Sequence, residues 1–133
     1  MPVDLDYIRN HYVQAASDKK LCLEMINELE KELSTNVHLV YLGALQTIRA
    51  NHVVNPFSKL RTFNKGKATI AQAVALDSNN IEIRLIRLSV QKKCPAFLGY
   101  NKNIKDDEEF LKKHKGQINS LPLMKLLDTV LNT

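Results

Sequence analysis

A chain of 133 residues with 44% apolar content is long enough for one domain around one continuous core. Four glycines and four prolines are too few for a sandwich or barrel that turns every ten residues, and for a disordered chain. The net charge of +5 conceals an asymmetry, because residues 1–55 carry −2, residues 56–105 carry +8 and residues 106–133 carry −1.

Other classes are excluded on similar grounds. No apolar run approaches the ~18 residues of a membrane span. The opening residues 1–10 lack the basic-then-apolar order of a leader, so a cytoplasmic chain is expected, or a periplasmic one if a leader was removed. Cys22 and Cys94 have no CxxC spacing and no clustered histidines beside them, so no metal site, redox motif or cofactor is expected. Both read as buried or half-buried thiols.

Asp4 can cap a first helix in which Leu5, Ile8, Tyr12 and Ala16 recur at helical spacing. Ser17 starts a second, with Asp18 at its positive end and Leu21, Cys22, Met25, Ile26, Leu29 and Leu33 inward. The third, about 37–53, is apolar nearly all round and reads as the buried centre of a bundle. Gly43 costs it on the order of 1 kcal/mol relative to Ala, and close approach by the Ala-rich helix at 66–76 is the expected return. Pro56 to Leu76 reads as one long helix, or a short one kinked into a longer one near Asn64. A corner at 77–80 leads to a helix over 81–92, stopped by Pro95. A loop over 95–103 follows, and Asp106-Asp107-Glu108-Glu109 begins a helix to Lys115, where the carboxylates suit the helix dipole and stay solvated. Glu108–Lys112 and Glu109–Lys113 have the favoured i,i+4 order. Ser120 caps a last helix carrying Leu123, Met124, Leu127, Val130 and Leu131. The pattern predicts an all-α fold of about seven helices.

Leu42-Gly43 in one helix, Gly66, Ile70 and Ala73 in the next, and the Ser78-Asn79-Asn80 corner together resemble the helix pair of the tetratricopeptide repeat (TPR). Ser78 stands where that family usually has proline, and the 23 residues between the two glycines exceed its compact spacing. Several phrases, among them YLGA, NPFSKL and PAFLGY, also resemble small bacterial TPR-like proteins with no assigned activity. The resemblance implies a TPR-like α-solenoid or right-handed bundle of antiparallel helices: a core at 36–95, capping helices at 1–35 and 96–133, and a scaffold used for protein binding.

The 81–92 helix carries two apolar stripes, Ile81, Leu85, Leu88 and Ile83, Ile86, Val90, with Arg84, Arg87 and Gln91 in a narrow strip between them. Such arginines either line a groove and grip a carboxylate or phosphate, or pair internally with Asp77, Glu82 or a carboxylate of the 18–33 helix. Phe57, Lys59, Arg61, Phe63, Lys65 and Lys67 can approach Lys92, Lys93, Phe97, Tyr100, Lys102 and Lys105, and aromatics among cations suit single-stranded nucleic acid. The plainer alternative makes Phe57, Phe63 and Phe97 core plugs ringed by solvated lysines.

No nucleophile–base arrangement or phosphate loop is present, and His11, His38, His52 and His114 are scattered, so no enzyme is expected. The expected function is a non-enzymatic module binding a protein or acidic peptide in a groove walled by the 37–53 and 81–92 helices. Arg84, Arg87, Gln91, Lys59, Arg61, Lys65 and Tyr100 are its candidate binding residues. The alternative is a nucleic-acid or polyanion binder using segment 56–105. The chain is expected to be a monomer or weak homodimer, without a membrane partner.

Overall fold

The computed structural model describes residues 4–133. The front of the segment searched for a leader, residues 1–3, lies outside them. Seven α-helices follow in order: α1 (Leu5–His11), α2 (Lys19–Lys31), α3 (Asn36–Ala50), α4 (Pro56–Leu76), α5 (Ile81–Lys93), α6 (Ile104–His114) and α7 (Leu121–Leu131). Short 3-10 turns stand at 14–16, 96–98 and 115–117, and the described residues contain no strand. None of these helices is long and apolar enough to cross a membrane.

Short polar side chains cap five of the helices at their N-termini. Asp4, Asp18, Thr35, Asn55 and Asn80 each accept a backbone N–H of the first turn, as in Leu21 N to Asp18 Oδ1 at 3.0 Å and Ile83 N to Asn80 Oδ1 at 3.1 Å. Each such cap contributes roughly 1 kcal/mol. Asp18, not Ser17, caps α2, and Ser120 stands at the start of α7 without accepting a backbone N–H of its first turn. Pro56 stands in the first turn of α4, which runs unbroken past Asn64. The first helix is shorter than its apolar spacing suggests, and the 3-10 turn after it carries Ala15 into the core.

The core is one cluster reaching from Ile8 to Val130. Helix α3 is at its centre, with Val40, Tyr41, Ala44 and Leu45 removed from solvent, and it packs on α2, α4 and α5. Two glycines set the α3–α4 distance. A β-carbon on Gly43 would lie 2.8 Å from the Ile70 backbone nitrogen and 2.9 Å from the Gly66 carbonyl oxygen. One on Gly66 would lie 2.7 Å from the Gly43 carbonyl oxygen and 2.8 Å from the Thr47 nitrogen. The two backbones touch, which is the return on the helix propensity that Gly43 gives up.

Helix α5 is buried on both sides, by α3 and by α6 and α7. The groove expected between the 37–53 and 81–92 helices is therefore absent. Their apolar stripes face each other and pack, because two apolar faces in water close any gap between them.

Candidate functional site

The Arg84, Arg87 and Gln91 strip points toward α6 and meets one carboxylate. Arg84 Nε donates to Asp107 Oδ1 at 2.6 Å, Arg87 donates from Nε to Oδ2 at 2.9 Å and from Nη2 to Oδ1 at 2.6 Å, and Gln91 Nε2 donates to Oδ2 at 2.9 Å. Asp107 is 0% exposed, while the two arginine side chains are 14% and 12% exposed. Every link of this cluster is closed within the chain. Gln91 Oε1 accepts the Asn103 N–H at 2.9 Å, Arg84 Nη1 reaches the Ser78 carbonyl at 3.0 Å, and the Arg84 guanidinium lies 4.4 Å from the Phe110 ring centroid. The placement of these three residues in a ligand groove is corrected here: their donors serve Asp107. The internal partner is none of the candidates Asp77, Glu82 or α2, and Asp107 is not solvated as its acidic run suggests.

Asp107 is the residue that reading the run as charge conceals. Ile104, Asp107 and Leu111 recur at i, i+3 and i+7, so the helical period alone sets Asp107 on the inward face of α6. Its neighbour Glu108 faces α5 and accepts from Lys92 Nζ at 2.8 Å instead of serving an i,i+4 pair. That ammonium also donates to the Val130 and Thr133 carbonyls at 2.5 and 3.2 Å, holding the end of α7 to α5.

A second internal cluster joins α1, α3 and α5. Arg9 grips Glu82 with two bonds of 2.7 Å, and Tyr41 Oη donates to Glu82 Oε2 at 2.6 Å. The hydrogen-bonded carboxylate raises the Arg9 pKa further above its already high value. Burial first, and the adjacent Glu82 charge second, push the Tyr41 phenol up. Tyr12 Oη and Ser89 Oγ pair at 2.8 Å beside it, and the Tyr12 and Tyr41 rings meet edge to face at 5.5 Å.

Segment 56–105 keeps several of its cations in solvent. Lys59, Arg61, Lys65, Lys102 and Lys105 are exposed and form no ion pair among the described residues. Phe63 is a core plug, stacked edge to face on half-buried Tyr100 at 6.2 Å with Lys67 Nζ over both rings. Phe57 and Phe97 are not plugs, being 80% and 85% exposed. Burial pushes the Tyr100 phenol up to about 12 and the Cys22 and Cys94 thiols up to about 11. Protonated thiols are poor nucleophiles, and no group of three or more His, Cys, Asp or Glu among the described residues is placed to hold a metal.

A concavity lies elsewhere, between α1, α5 and α7. It has a volume of about 520 Å³, with Val13, Leu121, Leu126 and Val130 among its apolar lining. Lys93 and Lys125 also line it, both exposed and neither in an ion pair among the described residues. An apolar floor of this size with a few polar groups is what a bound side-chain cluster requires. The site depends on packing, because its walls come from opposite ends of the chain. Comparison with protein-family models, curated proteins and solved structures gives no match.

Proposed function

We propose that this chain is a non-enzymatic helical interaction module that takes an acidic peptide segment of a partner protein into the α1–α5–α7 groove. The observation that carries this reading is the pairing of an apolar floor with two unengaged ammonium groups, Lys93 and Lys125. An amphipathic acidic segment would lay its apolar side chains on Val13, Leu121 and Leu126 and its carboxylates against the two lysines. The TPR-like description belongs to the same proposal. It is supported by the helix pair α3–α4 closing on Gly43 and Gly66, with α5 following after a short Asn-rich corner.

A fluorescein-labelled helical peptide with Leu on one face and Glu on the other provides the test. It is expected to bind, and the matching Leu/Lys peptide is not. Reversing both Lys93 and Lys125 to Glu, at exposed positions, is expected to weaken binding at least tenfold, or about 1.4 kcal/mol. Equal binding by the wild type and the reversed protein would exclude the groove.

The exposure of Phe57, Phe97, Lys59, Arg61 and Lys65 within one basic segment supports a second reading, in which single-stranded nucleic acid binds segment 56–105. Titration with labelled RNA at ~50 mM salt is expected to show binding that falls steeply as salt rises. Absence of binding there rejects it.

A further inference from the structure

Helix α4 meets the molecule with one face only. Phe63, Gly66, Ile70 and Ala73 point inward. On the opposite side Phe57, Leu60, Asn64, Ala68, Ala71 and Ala75 are all exposed and fall within about 80° of one another at ~100° per residue. The stripe is about 27 Å long at 1.5 Å per residue. Its two halves differ in both size and charge. The first half is bulky, with Phe57 80% and Leu60 52% exposed, and is flanked by Arg61 and Lys65. The second half, residues 68–76, is uncharged and presents alanines, and α4 ends on the carboxylate of Asp77.

We propose that this face is where a second copy of the chain docks, in an antiparallel two-fold dimer. A parallel pairing would set bulk on bulk and cation on cation. The antiparallel one sets Phe57 opposite Ala75 of the partner subunit, Leu60 opposite Ala71 of the partner subunit and Arg61 opposite Gln72 of the partner subunit. Each large side chain then meets a small one, and the interface closes on itself under two-fold symmetry. The cationic half of each α4 comes to lie along the neutral half of the other, toward the negative end of its helix dipole. Nucleic acid would use only the cationic half and leave the alanine half bare, so a second copy accounts for more of the surface. The proposal is independent of the α1–α5–α7 groove.

Mass in solution, measured by light scattering across a concentration series, tests it on the full chain. The wild type is expected to reach twice its 15.1 kDa mass as concentration rises. Gln72→Glu adds a carboxylate opposite Arg61 of the partner subunit, twice per dimer, and is expected to tighten association several-fold. Gln72→Arg is expected to weaken it at least tenfold, and Arg61→Glu combined with Gln72→Arg to restore it. Position 72 is exposed, and helical circular dichroism verifies that each variant is folded. A wild type that keeps the mass of one chain at every concentration overturns the proposal. So does a double variant no tighter than Gln72→Arg. A one-to-one complex of the single chain with an RNA oligonucleotide, abolished by Arg61→Glu, assigns the face to polyanion instead and overturns it as well.

Discussion

A fully buried carboxylate that receives four hydrogen bonds from cationic and amide donors adds little net stability. Withdrawing Asp107, Arg84 and Arg87 from water costs several kcal/mol per ion, and their mutual attraction returns roughly that amount. The asymmetry appears when one member is removed. Asp107→Ala leaves two guanidinium groups facing each other in a half-buried seam, and is expected to lower stability by about 3–5 kcal/mol. Arg84→Gln is expected to cost less, because Arg87 and Gln91 still hold the carboxylate. Urea midpoints at unchanged slope measure both. Loss of binding on replacing Arg84 and Arg87 together would therefore report a loosened α5–α6 contact. It would not identify a ligand site.

At the scale of the helices, close approach and ionic clasps do different work. The α3–α4 pair is fixed by the absence of side chains at Gly43 and Gly66. Gly66→Ala places a methyl group 2.7 Å from a carbonyl oxygen and 2.8 Å from a backbone nitrogen, and neither can rotate away as a side chain could. The gain in helix propensity, about 1 kcal/mol, is expected to be outweighed, for a net loss of roughly 1–3 kcal/mol in chemical denaturation. Three other helices are clasped to α5 by charge: α1 through Arg9 and Glu82, α6 through Asp107, and the end of α7 through Lys92. Helix α4 takes part in none of these ion pairs and presents a full face to solvent.

For the whole molecule, the buried thiols and phenols determine behaviour in alkali. Cys22 and Cys94 move from an ordinary 9.0 to about 11 and Tyr100 from 10.0 to about 12, with burial the leading cause in each. The folded chain thus holds these protons more tightly than the unfolded one. Their contribution is fully present below pH 9 and is lost as pH rises through the folded values. The urea midpoint is expected to be insensitive to these groups between pH 7 and 9, and to fall between about 9 and 12. A midpoint that rises over that range would contradict the burial of these three groups.

The sequence by itself determined the helices, the Asp4 cap, the inward face of α2 as far as Leu29, the burial of α3, the contact between Gly43 and the Ala-rich helix, and the burial of both thiols, full at Cys22 and partial at Cys94. All of these rest on interactions within a turn or two, or on an apolar periodicity that one helix displays alone. Where each charge goes was decided only in three dimensions. Arg9 lies 73 residues from Glu82 and Arg84 lies 23 from Asp107, and no local pattern selects one carboxylate among fourteen. The groove was hidden for the same reason, since Val13 and Leu121 share a wall only after α1 and α7 have closed on α5. Periodicity did mark Asp107 as inward, but charge alone suggested a solvated helix start. Burial overrode that suggestion because three side chains of α5 supplied four donors at the place where α6 turns its carboxylate inward.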